Sequence, residues 1–260
     1  MITTQLNGRT GNNMFQIAAA IAVAKRNNVE ALYIGDGSYI QGFKLKGIKK
    51  GDKKADFLFE ERKFNFDESF YSLGDRTHLD GYFQSEKNFI HAEDEVRKCF
   101  SFDHHIVEAV KRYEGGKFKH FLEINENTAV HIRRTDYLRY PDVYPVFDAT
   151  YYERCLNSIH DKGRVIVFSD DMEWCRNTFK GKGYDYIDLP PIESMYLMSN
   201  CKNIIMANSS FSWWAAWIGK CENVIYPSNW FGKRWPHKDK HPTHEDCVKD
   251  LCPERWKKFS

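Results

Sequence analysis

The stretch Thr128-Ala129-Val130-His131-Ile132-Arg133-Arg134-Thr135-Asp136-Tyr137 opens on apolar and β-branched residues and ends in charge. Such a run predicts a buried strand over 128–133 whose carboxyl end delivers polar side chains. The text after it repeats the pattern. Strands are predicted over 164–169, 184–187, 203–207 and 223–226, alternating with helices over 150–161, 171–179, 191–201 and 211–220. Strands alternating with helix-length segments read as α/β with a doubly wound parallel sheet, whose ligands sit at the carboxyl ends of strands.

The first half reads less regularly. A helix rich in Ala and Ile is predicted over 12–28, strands over 30–34 and 77–83, and helices over 85–100, capped near Ser85, and over 103–113. Residues 40–70, rich in Lys, Gly and Phe without clear periodicity, read as irregular connection. The polar stretch 114–127, with Gly115 and Gly116, marks the approach to a domain boundary. The expected domains are 1–126 and 127–260, with a Trp/Lys/His-rich tail after the last strand and no internal repeat.

The chain of 260 residues is 42% hydrophobic, enough to build its cores without staples. The 19 Phe, 14 Tyr and 7 Trp exceed what packing alone asks, and aromatic faces also stack on sugars and bases. A net charge of +2 demands neither nucleic acid nor an anionic membrane, so an anionic partner must be recognised locally. The basic runs at 44–54 and 233–240 read as solvated loops. Seven scattered cysteines, without a CxxC pair or zinc-like spacing, predict neither a disulfide framework nor a structural metal, hence a reduced, cytoplasmic protein. No apolar run of about 18 residues occurs, which predicts no membrane span and no signal peptide.

Four segments carry candidate chemistry. Gly8-Arg9-Thr10-Gly11-Asn12-Asn13-Met14-Phe15-Gln16 follows a strand-like start and opens a helix, so its amides face a phosphate or it is an ordinary strand-to-helix turn. It is neither GxGxxG nor a P-loop. In His131 to Tyr137, strand alternation sets His131 and Arg133 on one face and Ile132 and Arg134 on the other. One arginine leaves the strand to grip a diphosphate, or pairs with Asp136 as a structural ion pair. Asp170 and Asp171, at the end of the strand Val165 to Ser169, can read a guanine edge or ribose, or Asp170 caps the helix beginning near Met172, or less readily the pair holds a metal. Asn208-Ser209-Ser210 places hydroxyls and amides at a helix N-terminus, where a phosphate or a simple cap fits, and no GxSxG elbow surrounds these serines. Trp213, Trp214 and Trp217 read as core or as a sugar platform.

With these segments in place, the chain resembles the α-1,2-fucosyltransferase family, glycosyltransferase family 11, and more distantly the α-1,6- and protein O-fucosyltransferases. The matching pieces, in family order, lie at 8–16 (similar to GGLGNQMFQ), 81–87, 131–137 (similar to HxRRGDY), 168–174, 190–201 and 207–217. The chain departs from that pattern at Arg9-Thr10, at Asn13 and at Thr135, the last similar to the α-1,6 branch. The resemblance implies a GT-B-like fold, two Rossmann-like domains facing a cleft, the first on the acceptor side and the second holding a GDP-sugar. It implies inverting transfer of L-fucose from GDP-fucose to a galactoside-type glycan without metal or other cofactor. By resemblance Arg133 holds the β-phosphate, Arg134 supports the loop or the phosphate, and His131 meets the nucleotide. Asp170 or Asp171 reads guanine, Ser209 and Ser210 contact phosphate, and Asn12 reaches the donor. Asp136 and Glu193 are candidate bases, with a base-free displacement through an oxocarbenium-like transition state as the alternative, and Tyr82 and Phe83 are placed near the acceptor. Another GDP-sugar, or an inert sugar- or nucleotide-binding module, is the alternative.

Overall fold

The computed structural model describes residues 1–119, 122, 126–219, 221–234 and 248–260. Packing separates two units, Met1–Asp103 with residues 248–253, and residues 104–234 with 254–260. The division falls at 103–104, ahead of the expected 126–127 and of the first strand of the second sheet. The helix before that strand, over 104–112, packs within the second unit.

In the first unit, β1 (Ile2–Gln5) is buried on both faces and feeds α1 (Thr10–Asn27), whose return leads to β2 (Ala31–Ile34). Every residue of α1 from Met14 to Ala24 is buried, so this helix is a core element rather than an amphipathic cover. It stops at Asn28, in the left-handed region at φ 52°, whose N–H bonds to Ala24 and Lys25 carbonyls, with Lys25 and Arg26 against the negative helix end. Strands β3 (Ile48–Lys50), β4 (Phe57–Glu60) and β5 (Thr77–Asp80) complete a fully parallel sheet in the order β3-β2-β1-β5-β4.

Two expectations are corrected here. Residues 40–70 contain β3 and β4, edge strands of three and four residues, too short and too exposed to carry an alternating pattern. The single helix expected over 85–100 is broken into short turns at Glu86–Asn88 and Ile90–Ala92 before α2 (Glu93–Cys99). The break falls at Phe89, fully buried and non-helical, whose ring meets Phe15 at 6.1 Å. Core packing there overrides local helix propensity. Ser85 caps the first turn by accepting from Lys87 N–H, as expected.

The second unit begins with α3 (His104–Arg112) and continues with β6 (Thr128–Ile132), α4 (Ala149–Asn157), β7 (Val165–Ser169), α5 (Met172–Thr178) and β8 (Asp185–Ile187). After them come α6 (Pro191–Ser199), β9 (Asn203–Ile205), α7 (Ser210–Ile218), β10 (Asn223–Pro227) and β11 (Lys257–Phe259). All strands are parallel in the order β11-β10-β9-β6-β7-β8, with Val130 between Val167 and Ile205. Val130, Ile132, Val167, Ile205 and Ile225 form one core with Tyr152, Leu156 and Phe179 from the covering segments. Helices α6 and α7 approach so closely that a Cβ on Gly219 would stand 2.4 Å from the Ser199 carbonyl oxygen. Strand β11 was hidden in the expected tail, because three residues of Lys-Lys-Phe read as strand only beside β10.

Lys220, the expected end of the helix over 211–220, lies outside the described residues, as do 235–240 of the second basic run and 120, 121 and 123–125 of the expected linker.

Candidate active site

Strand order reverses at β6. The chain runs outward to β7 and β8, then crosses back to β9 on the other side, so the loops after β6 and β9 leave neighbouring carboxyl ends. The strand ends at Ile132, and both arginines lie beyond it. The alternation expected for Arg133 and Arg134 therefore does not apply. Arg133 places Nη1 3.0 Å from Asp170 Oδ2 and Nη2 2.6 Å from Asp136 Oδ1, and its guanidinium lies 5.5 Å from the Tyr137 ring centre. Arg134 turns instead to Asp171, Nε to Oδ2 at 3.1 Å, and stacks 3.9 Å over Trp174. Of the two, Arg134 is clamped from both sides, which fits support rather than exchange with a ligand.

Asp170 organises the loop. Its carboxylate accepts from the N–H groups of Arg134 (2.9 Å) and Thr135 (3.2 Å) and from the Thr135 hydroxyl. Asp171 accepts from Trp174 N–H at 3.1 Å and so caps α5, while its own N–H donates to Ser169 Oγ. The capping reading belongs to Asp171 rather than Asp170, and both carboxylates are engaged inside the unit. Two arginines thus face three aspartates at one strand-end cluster.

Tyr137 was not singled out by sequence reasoning, although it closes the motif. Its hydroxyl donates to the Asn208 carbonyl at 3.0 Å, tying the loop after β6 to the loop after β9, and its ring stacks on Tyr144 at 4.7 Å. Asn208 donates to the Trp230 carbonyl at 2.9 Å, and its side-chain oxygen is buried without a hydrogen-bond partner. Ser209 caps α7 by accepting from Phe211 N–H, which sets Ser210 at the start of that helix. His131 is buried against Phe211, with Nδ1 lacking a hydrogen-bond partner. Burial and, after it, the charge of Arg133 push its imidazole down to about 4, so it is neutral at pH 7. Trp213, Trp214 and Trp217 are core, packed with one another and with Trp256.

The first unit has its own polar knot at the reversal point of its sheet, beside β1 and β5. Gly8, at φ +83°, turns the chain after β1, and a Cβ there would meet Asn12 Nδ2 at 2.4 Å. Asn12 Oδ1 accepts from Gln84 Nε2 at 2.8 Å, and Gln16 donates to the Gly81 carbonyl and accepts from Asn7 N–H. The segments 8–16 and 81–87 are therefore brought together. Glu61, which nothing in the sequence marks, holds the second of them by accepting from Tyr82 and Phe83 N–H at 2.7 and 2.9 Å. Tyr82 is half-buried. Phe83 is corrected: at 1% exposure it packs against Phe59 and Phe70, so its ring offers no acceptor surface. Glu193 lies half-buried in the first turn of α6, where its charge suits the positive helix end.

Among the described residues no group of three or more His, Cys, Asp or Glu is placed to hold a metal ion, and no helix is long and apolar enough to cross a membrane. The described cysteines are free thiols.

The profile of the family described as Glycosyl transferase family 11 matches residues 1–242. The O-antigen biosynthesis glycosyltransferase WbnK of Escherichia coli is 39% identical over 127 residues, 44% of this chain and 42% of that protein. The alpha-1,2-colitosyltransferase of Escherichia coli is 29% identical over 191 residues, 68% of this chain and 60% of that protein. The chain therefore spans about half the length of these relatives. Among solved structures, NodZ alpha-1,6-fucosyltransferase soaked with GDP-fucose superposes with a TM-score of 0.57 at 12% identity, over 87% of this chain and 94% of that one. At that identity the likeness concerns the fold.

Proposed function

The chain belongs to glycosyl transferase family 11, and on that premise we propose that it is an inverting fucosyltransferase moving L-fucose from GDP-fucose to a galactoside-type glycan in α-1,2 linkage. The observation that carries the reading is Arg133, partly exposed at the reversal point of a doubly wound sheet, in a loop that Tyr137 ties to the Asn208 carbonyl just before the α7 terminus with Ser209 and Ser210. Arg133 binds the diphosphate, and the hydroxyls and amides at the start of α7 add donors. Neutral His131 and Asn208, each with a buried unpartnered polar atom, line the nucleotide side of that site, and Asp170 and Arg134 hold its loop in shape.

The reaction is a displacement. The acceptor hydroxyl oxygen bonds to the fucose anomeric carbon, the bond from that carbon to the β-phosphate oxygen breaks, and its electron pair leaves on GDP. A guanidinium and helix amides in a water-poor site neutralise the departing diphosphate, which is the task a metal performs elsewhere. Asp136 takes the hydroxyl proton. In the first unit, Asn12 and Tyr82 contribute to substrate binding from a knot that Gln84 and Glu61 hold rigid.

The linkage is supported by the family resemblance and by the α-1,2 chemistry named for the 29% identical relative. The same relative favours a second reading, a donor carrying colitose in place of fucose. The test is GDP release from GDP-fucose in EDTA, with and without a panel of galactosides, comparing wild type with Arg133→Ala. Acceptor-stimulated release that persists in EDTA and vanishes in the variant is expected. Release only from another GDP-sugar shifts the donor, and GDP binding without turnover on any of them leaves an inert binding module.

A further inference from the structure

A buried phenylalanine in the first unit holds a backbone conformation that bulky residues avoid. Phe83 stands at φ 53°, in the left-handed region, while its buried ring is locked against Phe59 and Phe70. Such a conformation persists only where its surroundings over-determine it, and it tends to mark a functional segment. Here the Glu61 carboxylate accepts from Tyr82 N–H at 2.7 Å and from Phe83 N–H at 2.9 Å. Gln16 donates to the Gly81 carbonyl at 3.0 Å, and the Phe83 carbonyl accepts from Ser85 N–H at 2.8 Å and from Asn88 Nδ2 at 3.1 Å. Glycine at 81 is part of the fit, because a Cβ there would stand 2.4 Å from Glu61 Cβ. The side chains on either side of the turn are committed, Phe83 to the core and Gln84 to Asn12. Tyr82 is not: half-buried, its side chain takes no hydrogen bond or ring contact among the described residues. It lies two residues beyond β5, whose carboxyl end is level with that of β1 where the strand order reverses, the place where such sheets bind ligands.

We propose that Glu61 is a positioning residue that presents Tyr82 to the acceptor, whose pyranose ring stacks on the tyrosine ring. This inference rests on the proposed transferase reading and deepens it, since it names the side chain that holds the acceptor sugar and the carboxylate that aims it. A pyranose exposes a face of C–H groups, and an aromatic face packs against it. Two successive amides that converge form a concavity suited to an anion, and the Glu61 carboxylate fills this one from within the fold. Glutamine at 61 would keep the size but set an NH2 donor opposite one of the two N–H donors. The left-handed turn then relaxes, and Tyr82 swings while the Phe83 ring keeps its place in the core. Holding the ring in its binding position beforehand removes the ordering cost that the acceptor would otherwise meet.

The test is steady-state transfer from GDP-fucose to lactose, or to the most active galactoside of the panel where lactose is not used, with the KM of each substrate read separately. Tyr82→Ala raises the acceptor KM about tenfold, and Tyr82→Phe, which keeps the ring, leaves it within about twofold of wild type. Glu61→Gln raises the acceptor KM by about the same tenfold, with kcat changing less than about threefold. The double variant decides between positioning and mere structure. Because Glu61 acts through Tyr82, combining Glu61→Gln with Tyr82→Ala keeps the effect of either change alone, about tenfold, whereas independent effects multiply to about 100-fold. If Glu61→Gln does not fold, Glu61→Asp, which keeps the charge at a shorter reach, takes its place in the cycle. Multiplying effects, an acceptor KM unmoved by Tyr82→Ala, or a shift confined to the GDP-fucose KM overturns the proposal and leaves the transferase reading standing. A wild type that releases no GDP from GDP-fucose with any galactoside of the panel overturns the transferase reading and the role of Tyr82 with it.

Discussion

Removing the Asp170 carboxylate tests how the arginine loop is built. Asp170→Ala deletes the acceptor of Arg134 and Thr135 N–H, the partner of the Thr135 hydroxyl, and one side of the Arg133 ion pair at 3.0 Å. Hydrogen bonds to a charged acceptor contribute about 1.5 kcal/mol each at the low end, and an ion pair with partly exposed partners adds well under 1 kcal/mol. Counting the two amides fully and discounting the hydroxyl and the ion pair for solvent gives a loss of about 3 kcal/mol. At about 2–4 °C per kcal/mol, the second unit should melt roughly 6–12 °C lower. Tryptophan fluorescence reports on that unit, because among the described residues every tryptophan, from Trp174 to Trp256, lies in it. Loosening the loop also misplaces Arg133, for which a fall of about 100-fold in kcat/KM is expected. A fluorescence melt within about 2 °C of wild type, with kcat/KM unchanged, would refute the view that Asp170 holds this loop.

Tyr137→Phe keeps the stack on Tyr144 and the ring beside Arg133 but loses the bond to the Asn208 carbonyl. A loss of about 1 kcal/mol in urea unfolding is expected, with a larger effect on donor KM than on stability if the tie aligns the two loops. His131, held at about 4 by burial and Arg133 against 6.5 when unfolded, stabilises the fold fully above about 6.5 and loses that contribution as pH falls toward 4. The loss amounts to about 3 kcal/mol, and His131→Gln should flatten that part of a stability-versus-pH curve. Gly219→Ala should lower stability by about 2 kcal/mol or more, because the added Cβ strikes the carbonyls of Ser199 and Ala215 at 2.4 and 2.7 Å. A thermal melt equal to wild type would show that α6 and α7 can part at little cost.

The clearest part of the sequence was the second sheet. Runs such as Val165 to Ser169 are buried on both faces, so their apolar character survives in the text, and β6 to β10 were found close to their bounds. Strands β3, β4 and β11 left no such trace, being short edge strands stabilised by a single neighbour. Three of the quoted motifs sit at strand ends after β6, β7 and β9 because polar residues that interrupt an apolar strand in this fold must emerge there.

Which residues belong to the polar loops could thus be read from their order along the chain, since hydroxyls, arginines and carboxylates following a buried strand have few other places to go. Their division of labour could not. Whether Asp170 or Asp171 caps a helix, which of Arg133 and Arg134 stacks on Trp174, and that Glu61 holds the amides of Tyr82 and Phe83 from 21 and 22 residues away depend on contacts between segments distant in sequence. Periodicity and motif spacing report on burial and local conformation, which neighbours along the chain dictate. Partner choice among like charges is set by where the folded backbone aims each side chain, and there a few tenths of an ångström separate an engaged carboxylate from an available one.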